Sequence, residues 1–155
     1  MKKIVIFLVC AALAMVCLCS CGSESETGPT NEEYFAITEL IQNGEYEQAK
    51  SALNEAYAQT DYAAVPSGFN KMNQYHLYYV SQGLYDDAMT VLLDFLKAND
   101  FENHLKEVPA DTNTLEDNCV YAIAQVKSIL ESVSNEKRAE AIEFIGQELL
   151  DKYET

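Results

Sequence analysis

Gly44-Glu45-Tyr46-Glu47-Gln48-Ala49-Lys50-Ser51-Ala52-Leu53 and Gly83-Leu84-Tyr85-Asp86-Asp87-Ala88-Met89-Thr90-Val91-Leu92 are one pattern written twice. The offset that carries Gly44 onto Gly83 also pairs Ile41 with Val80, Glu47 with Asp86, Ser51 with Thr90, Glu55 with Asp94 and Asp61 with Asp100. Each shared position has a physical use. A glycine ends a helix, because it adopts the left-handed conformation at no steric cost. The tyrosine packs over the turn that follows. The alanine lets two antiparallel helices approach closely, and the leucine fills their seam. The stretch therefore predicts two helix hairpins of the same design.

Working outward, Thr30-Asn31-Glu32-Glu33 fits a capping box, and Ala36, Ile37, Leu40 and Ile41 recur at the spacing of one helical face. A second helix is predicted from about Glu45 to Gln59, with Tyr46, Ala49, Leu53 and Ala56 on one face. Val65-Pro66-Ser67-Gly68 is a break, with Ser67 as N-cap of a third helix to about Gln82. Gly83 follows, and after it a fourth helix runs to about Ala98. Residues 101–113, with Pro109, read as a connection. A fifth helix starts at Thr114 and carries Val120, Ile123, Val126, Ile129, Leu130 and Val133. Ser134 caps a sixth, carrying Ala141, Ile142, Ile145 and Leu149. Gly146 is expected inside that helix, costing about 1 kcal/mol relative to alanine and marking a close helix contact. No strand alternation of useful length occurs.

The doubled Gly-x-Tyr-x-x-Ala-x-x-x-Leu pattern resembles the tetratricopeptide repeat over roughly residues 31–100. The chain departs from that family in its spacing, which from Gly44 to Gly83 is longer than the family's repeat. It also lacks an early tryptophan, and it places Asp61 and Asp100 where a proline often closes the repeat. The resemblance implies an all-α fold of antiparallel hairpins at about 31–60, 67–99 and 114–153, stacked as a short solenoid. The last hairpin would be degenerate, since it has no Gly-x-Tyr turn. A compact helical bundle with similar turns is the alternative. The resemblance also implies that the first helix of each pair lines a concave face. The family's groove positions then fall on Asn31, Tyr34, Thr38 and Gln42, and on Asn70, Asn73, Leu77 and Ser81. This set is amide-rich and has no paired Lys/Arg clamp for a peptide carboxylate, so an extended peptide or helix held by Asn and Gln is the expected occupant.

The N-terminus says where such a domain would work. Met1-Lys2-Lys3 is basic, Ile4–Leu18 is apolar and uncharged, and Leu18-Cys19-Ser20-Cys21 follows. This order is that of a secretory signal, and its end resembles a lipobox. The resemblance implies removal of residues 1–20 and lipidation of Cys21. Cleavage before Cys19 or Cys17 would put Leu18 or Val16 where a small residue is preferred. A transmembrane anchor is the other reading, but the apolar run is barely long enough and lacks a basic stop-transfer flank. Ser23-Glu24-Ser25-Glu26-Thr27-Gly28-Pro29 is polar and Gly/Pro-punctuated, so residues 21–30 read as an acidic tether. Residues 31–155 read as one domain.

Charge and chemistry narrow the function further. The 155 residues carry 10 Lys and Arg against 25 Asp and Glu, a net charge of −15. Loss of Lys2 and Lys3 with the signal would deepen it by two. Nucleic acid is a poor partner for such a surface, and an anionic bilayer would repel it, so membrane attachment falls to the lipid. Four of the five cysteines lie within residues 10–21, which leaves Cys119 unable to form an internal disulfide. Its apolar neighbours suggest a small buried hydrophobe. No nucleophile elbow, phosphate-binding loop or zinc-protease helix occurs. His76 is expected at a helix packing position. His104, with Glu102 and Glu107 near it, lacks partners at metal-ligand spacing. No cofactor, metal or enzymatic activity is expected. Eight of the ten tyrosines (Tyr34, Tyr46, Tyr57, Tyr62, Tyr75, Tyr78, Tyr79 and Tyr85) cluster in the first two hairpins, where they suit either a binding face or a wet-rimmed core. The expected function is a lipid-anchored, extracytoplasmic helical module that binds another envelope protein or peptide. The alternative is a lipoprotein that captures a sugar or peptide for an uptake system.

Overall fold

The computed structural model describes residues 28–64, 66–102 and 114–152. The signal segment, Cys21 and His104 lie outside the described residues. Within them the fold is all-α, with seven helices. These are α1 (Asn31–Gln42), α2 (Tyr46–Ala56), α3 (Ser67–Ser81), α4 (Tyr85–Ala98), α5 (Thr114–Ile129), α6 (Asn135–Ile145) and α7 (Gln147–Lys152).

Local chemistry sets the helix ends. Thr30 accepts from the Glu33 amide while the Glu33 carboxylate accepts from the Thr30 amide at 2.8 Å, so the capping box closes in both directions. Gly44 and Gly83 have φ of 75° and 73°. After α1, the Glu45 amide donates to the Leu40 carbonyl and the Gly44 amide to Ile41. After α3, Leu84 donates to Tyr79 and Gly83 to Val80. Both turns are thus the same Schellman motif, at equivalent positions of the two hairpins. Ser67, by contrast, is the first residue of α3 and not its cap. Pro66 holds the cap position with no side-chain bond, and its fixed φ suits a helix start.

The packing follows these turns. The α1–α2 hairpin lies against α3, which contacts both of its helices, and α3 pairs with α4. The α1 and α3 helices run side by side in the same direction. Tyr34 of α1 meets Asn73 and Gln74 of α3, and the hydroxyl of Tyr46, just past α1, donates to the carbonyl of Ser81, the last residue of α3, at 3.0 Å. Tyr121 of α5 meets Phe69 and Asn73, which brings this part of α5 beside α3. The α4 helix is the most buried, with Ala88, Met89, Leu92, Leu93 and Leu96 fully enclosed. It packs on α3, α5 and α6, and α7 folds back onto α5 and α6.

Two apolar clusters result. The smaller holds Ile37, Ile41, Ala49, Leu53, Tyr57 and Tyr78. The larger runs from Met72 through α4 to Cys119, Ile123, Val126, Ala141, Ile145 and Leu150. Tyr75 and Tyr79 pack against both. Most of the tyrosines of the first two hairpins therefore pack on or within these clusters, and two of them, Tyr75 and Tyr79, form the seam between them. Tyr57 and Tyr78 are buried, while Tyr46, Tyr62, Tyr75, Tyr79 and Tyr85 are half-buried against the clusters.

Gly146 requires a correction. It does not sit inside a long sixth helix, nor does it mark a close contact, since nothing lies within 4 Å of where its Cβ would be. Its φ of 88° ends α6, and α7 starts one residue later. The repeated aspartates also find local uses. Asp61 Oδ1 accepts from the Ala63 amide at 3.0 Å, and Asp100 adopts a φ of 45°, which aspartate tolerates better than most residues.

Candidate functional site

Helices α1, α3 and α5 enclose a half-open cavity of about 470 Å³. Tyr34, Phe35 and Thr38 line it from α1. Asn73, His76, Leu77 and Val80 line it from α3, and Tyr121 and Gln125 from α5. Its walls are mainly apolar and aromatic with a few amides, and its size falls within the roughly 300–1,000 Å³ of ligand sites.

A hydrogen-bond network fixes one wall. The Asn73 amide donates to the Tyr34 hydroxyl at 3.0 Å and accepts from the Tyr121 hydroxyl at 3.2 Å, so one side chain ties three helices together. Gln74, only 1 % exposed, stands behind it. Its Nε2 donates to the Tyr34 carbonyl at 2.6 Å and to Thr38 Oγ1 at 3.1 Å, and its Oε1 accepts from the Tyr57 hydroxyl at 3.2 Å. Burial, with the neighbouring Tyr34, pushes the Tyr121 hydroxyl above its ordinary pKa. His76 is buried, and its Nε2 has no hydrogen-bond partner. Desolvation lowers its pKa and keeps the ring neutral.

The eight positions carried over from the repeat divide evenly. Tyr34, Thr38, Asn73 and Leu77 meet at the cavity. Asn31 and Gln42 are exposed at the two ends of α1. Asn70 is half-buried one turn before Asn73. Ser81 closes α3, its hydroxyl donating to the Tyr78 carbonyl at 2.9 Å. None of these four lines the cavity.

Sequence reasoning missed Phe35, Val80, Tyr121 and Gln125 of the lining, and Gln74 behind it. Phe35 is 69 % exposed, the most exposed of the large hydrophobic side chains among the described residues. A signal for it existed, because it stands off the Ile37/Ile41 stripe. Gln74 had none, since a buried amide reads as a surface residue.

The chain matches no protein-family model, no curated protein and no solved structure. Cys119 takes no part in the site. It is fully buried in the larger core, and burial pushes its thiol up to about 11, so a thiolate nucleophile is unavailable there. Among the described residues no cluster of three His, Cys, Asp or Glu side chains could hold a metal ion. No helix among them is long and apolar enough to cross a membrane.

Proposed function

We propose that this chain is a lipid-anchored, non-enzymatic helical-repeat module that holds another envelope protein or peptide in the groove of α1, α3 and α5. The observation that carries the reading is the Asn73–Tyr34 bond between positions related by the repeat offset. Equivalent positions of two hairpins touch side by side, as tetratricopeptide-like stacking requires of first helices. The identical Schellman turns and the placement of α5 beside α3 support the same arrangement. A half-open cavity built from first helices is where a repeat module would take a segment of a partner.

Cys21 supplies the anchor in this reading. Gly28 lies against Ser67, at the end of the domain where α1 and α3 begin. The residues from Cys21 to Gly28 reach at most about 25 Å at roughly 3.5 Å each, so the lipid would keep that end near the bilayer.

The test is crosslinking and affinity capture of the tagged chain from intact cells that produce it, beside Cys21→Ser and Phe35→Ser versions. A defined envelope protein captured by the parent and lost from both variants supports the proposal. Capture indifferent to Phe35→Ser rejects the groove. The cavity volume also suits a small ligand. Absence of any protein from folded bait, with a ligand-induced rise in melting temperature, would favour the capture reading.

A further inference from the structure

The groove pairs an apolar wall with a one-sided charge. Phe35 projects from α1 with most of its ring in solvent, beside Leu77 and Val80 of α3 and Tyr121 of α5. On α1, Glu32 and Glu39 stand three residues before and four after Phe35, and both are exposed. Positions at those spacings are surface neighbours on a helix, so the exposed ring sits between two carboxylates. No Lys or Arg is among the described residues that line the cavity. The nearest lysines in sequence are engaged elsewhere. Lys71 donates to the Thr60 carbonyl at 2.7 Å, and Lys127 pairs with Asp151 at 2.7 Å. His76, held neutral by burial, adds no positive charge to the wall. The whole chain, at −15, extends the same sign outward.

From this we infer that the occupant of the groove is a basic peptide segment, with a bulky apolar side chain seated against Phe35 and Leu77 and lysines or arginines meeting Glu32 and Glu39. The inference rests on reading the groove as the binding face and adds the chemistry of the partner. An acidic segment would bring like charges to Phe35 and be rejected, while the apolar anchor supplies affinity that charge alone does not.

The experiment uses the full chain in neutral phosphatidylcholine nanodiscs, with empty discs subtracted. The probe is a fluorescein-labelled peptide carrying a Phe-Leu anchor flanked by lysines, and its twin carries glutamates instead. The basic peptide is expected to bind. Phe35→Ser, at an exposed site that leaves the helical signal unchanged, should weaken it about tenfold. Glu32→Gln with Glu39→Gln should weaken it roughly threefold and flatten its salt dependence. Glu136→Gln with Glu143→Gln, exposed carboxylates on α6, should change nothing, which separates the groove from the general acidity of the surface. Equal binding of the acidic twin, still lost with Phe35→Ser, overturns the basic occupant but keeps the binding face. Binding of neither peptide, or binding indifferent to Phe35→Ser, overturns both. Self-association of the chain abolished by Phe35→Ser would make a second copy the occupant and also overturn the inference.

Discussion

At the scale of single residues, backbone conformation and solvation decide most. Gly44 and Gly83 turn the chain with φ of 75° and 73°, a conformation that costs an L side chain roughly 1–2 kcal/mol. Nothing lies within 4 Å of either missing Cβ, so a methyl group would add conformational strain and no clash. Gly44→Ala and Gly83→Ala should therefore destabilise by similar amounts, about 1 kcal/mol each, in urea unfolding. A much larger loss at one of them would contradict the equivalence of the two turns. His76 gives a pH test. Its pKa is lowered by burial, so the folded state binds fewer protons than the unfolded state as pH falls below about 6.5. Stability is full above that value and is lost as pH drops from it toward the lowered folded pKa. The thermal midpoint should fall between about pH 7.5 and about pH 5.5, above the main carboxylate range, and His76→Leu should flatten the fall. An equal slope in both proteins would mean that the ring is not the titrating group. The glycines were legible in the sequence because they sit at one fixed offset. The solvation of His76 was legible only as a packing position, because an unpaired nitrogen is a property of the neighbours.

At the scale of elements, the register of the repeat shows what periodicity conveys and what it leaves out. Helix existence was readable, since Ile37/Ile41 and Ala88/Leu92 repeat at helical spacing and the caps are local. The path after Ile145 was not, because Gly146 can be tolerated in a helix or break it, and only its φ of 88° decides. The register also pairs Phe35 with Gln74, two unlike residues with opposite fates. Gln74 is buried because the first hairpin covers it. Phe35 is exposed because no described helix packs over that face of α1. Exposure at one repeat position thus depends on whether a neighbour precedes it, which a single hairpin's sequence does not encode. Gln74 is consequently the keystone between the first hairpin and α3. Gln74→Leu keeps the bulk but leaves the buried Tyr57 hydroxyl without its acceptor, and it takes one donor each from the Tyr34 carbonyl and the Thr38 hydroxyl, which still bond each other at 2.9 Å. Buried groups left unpaired cost about 1–3 kcal/mol each. We expect a loss of about 2 kcal/mol or more on denaturant unfolding, against about 0.5 kcal/mol or less for an exposed control such as Gln48→Leu. A loss no greater than the control's would mean that water replaces the amide.

At the scale of the whole molecule, two apolar clusters of unequal size share a tyrosine seam, and that asymmetry predicts how the fold opens. The larger cluster joins α3 to α7 through the fully buried face of α4. The smaller depends on α1 and α2 with Tyr78, and reaches the rest through Tyr75, Tyr79 and the Gln74 network. Removing the first hairpin would uncover few side chains of the larger cluster, whereas displacing α4 would uncover nearly all of it. Regions with fewer buried apolar contacts open at lower free energy than the global transition. Amides of α1 and α2 should therefore exchange with solvent through a partial opening, ahead of those of α4, which should exchange only on global unfolding. Gln74→Leu ties this expectation to the seam. It should speed exchange in α1 and α2 by about tenfold or more, as a loss of about 1.4 kcal/mol or more requires, while protection in α4 changes much less. A parallel drop across both regions would show one cooperative unit instead. The groove spans this boundary, with Phe35 on the smaller unit and Tyr121 on the larger, and Asn73 bonded to a residue of each. A segment seated against both units would resist the partial opening. A bound partner should therefore slow exchange in α1 and α2 more than in α4, and equal protection of both would place its contacts outside the groove.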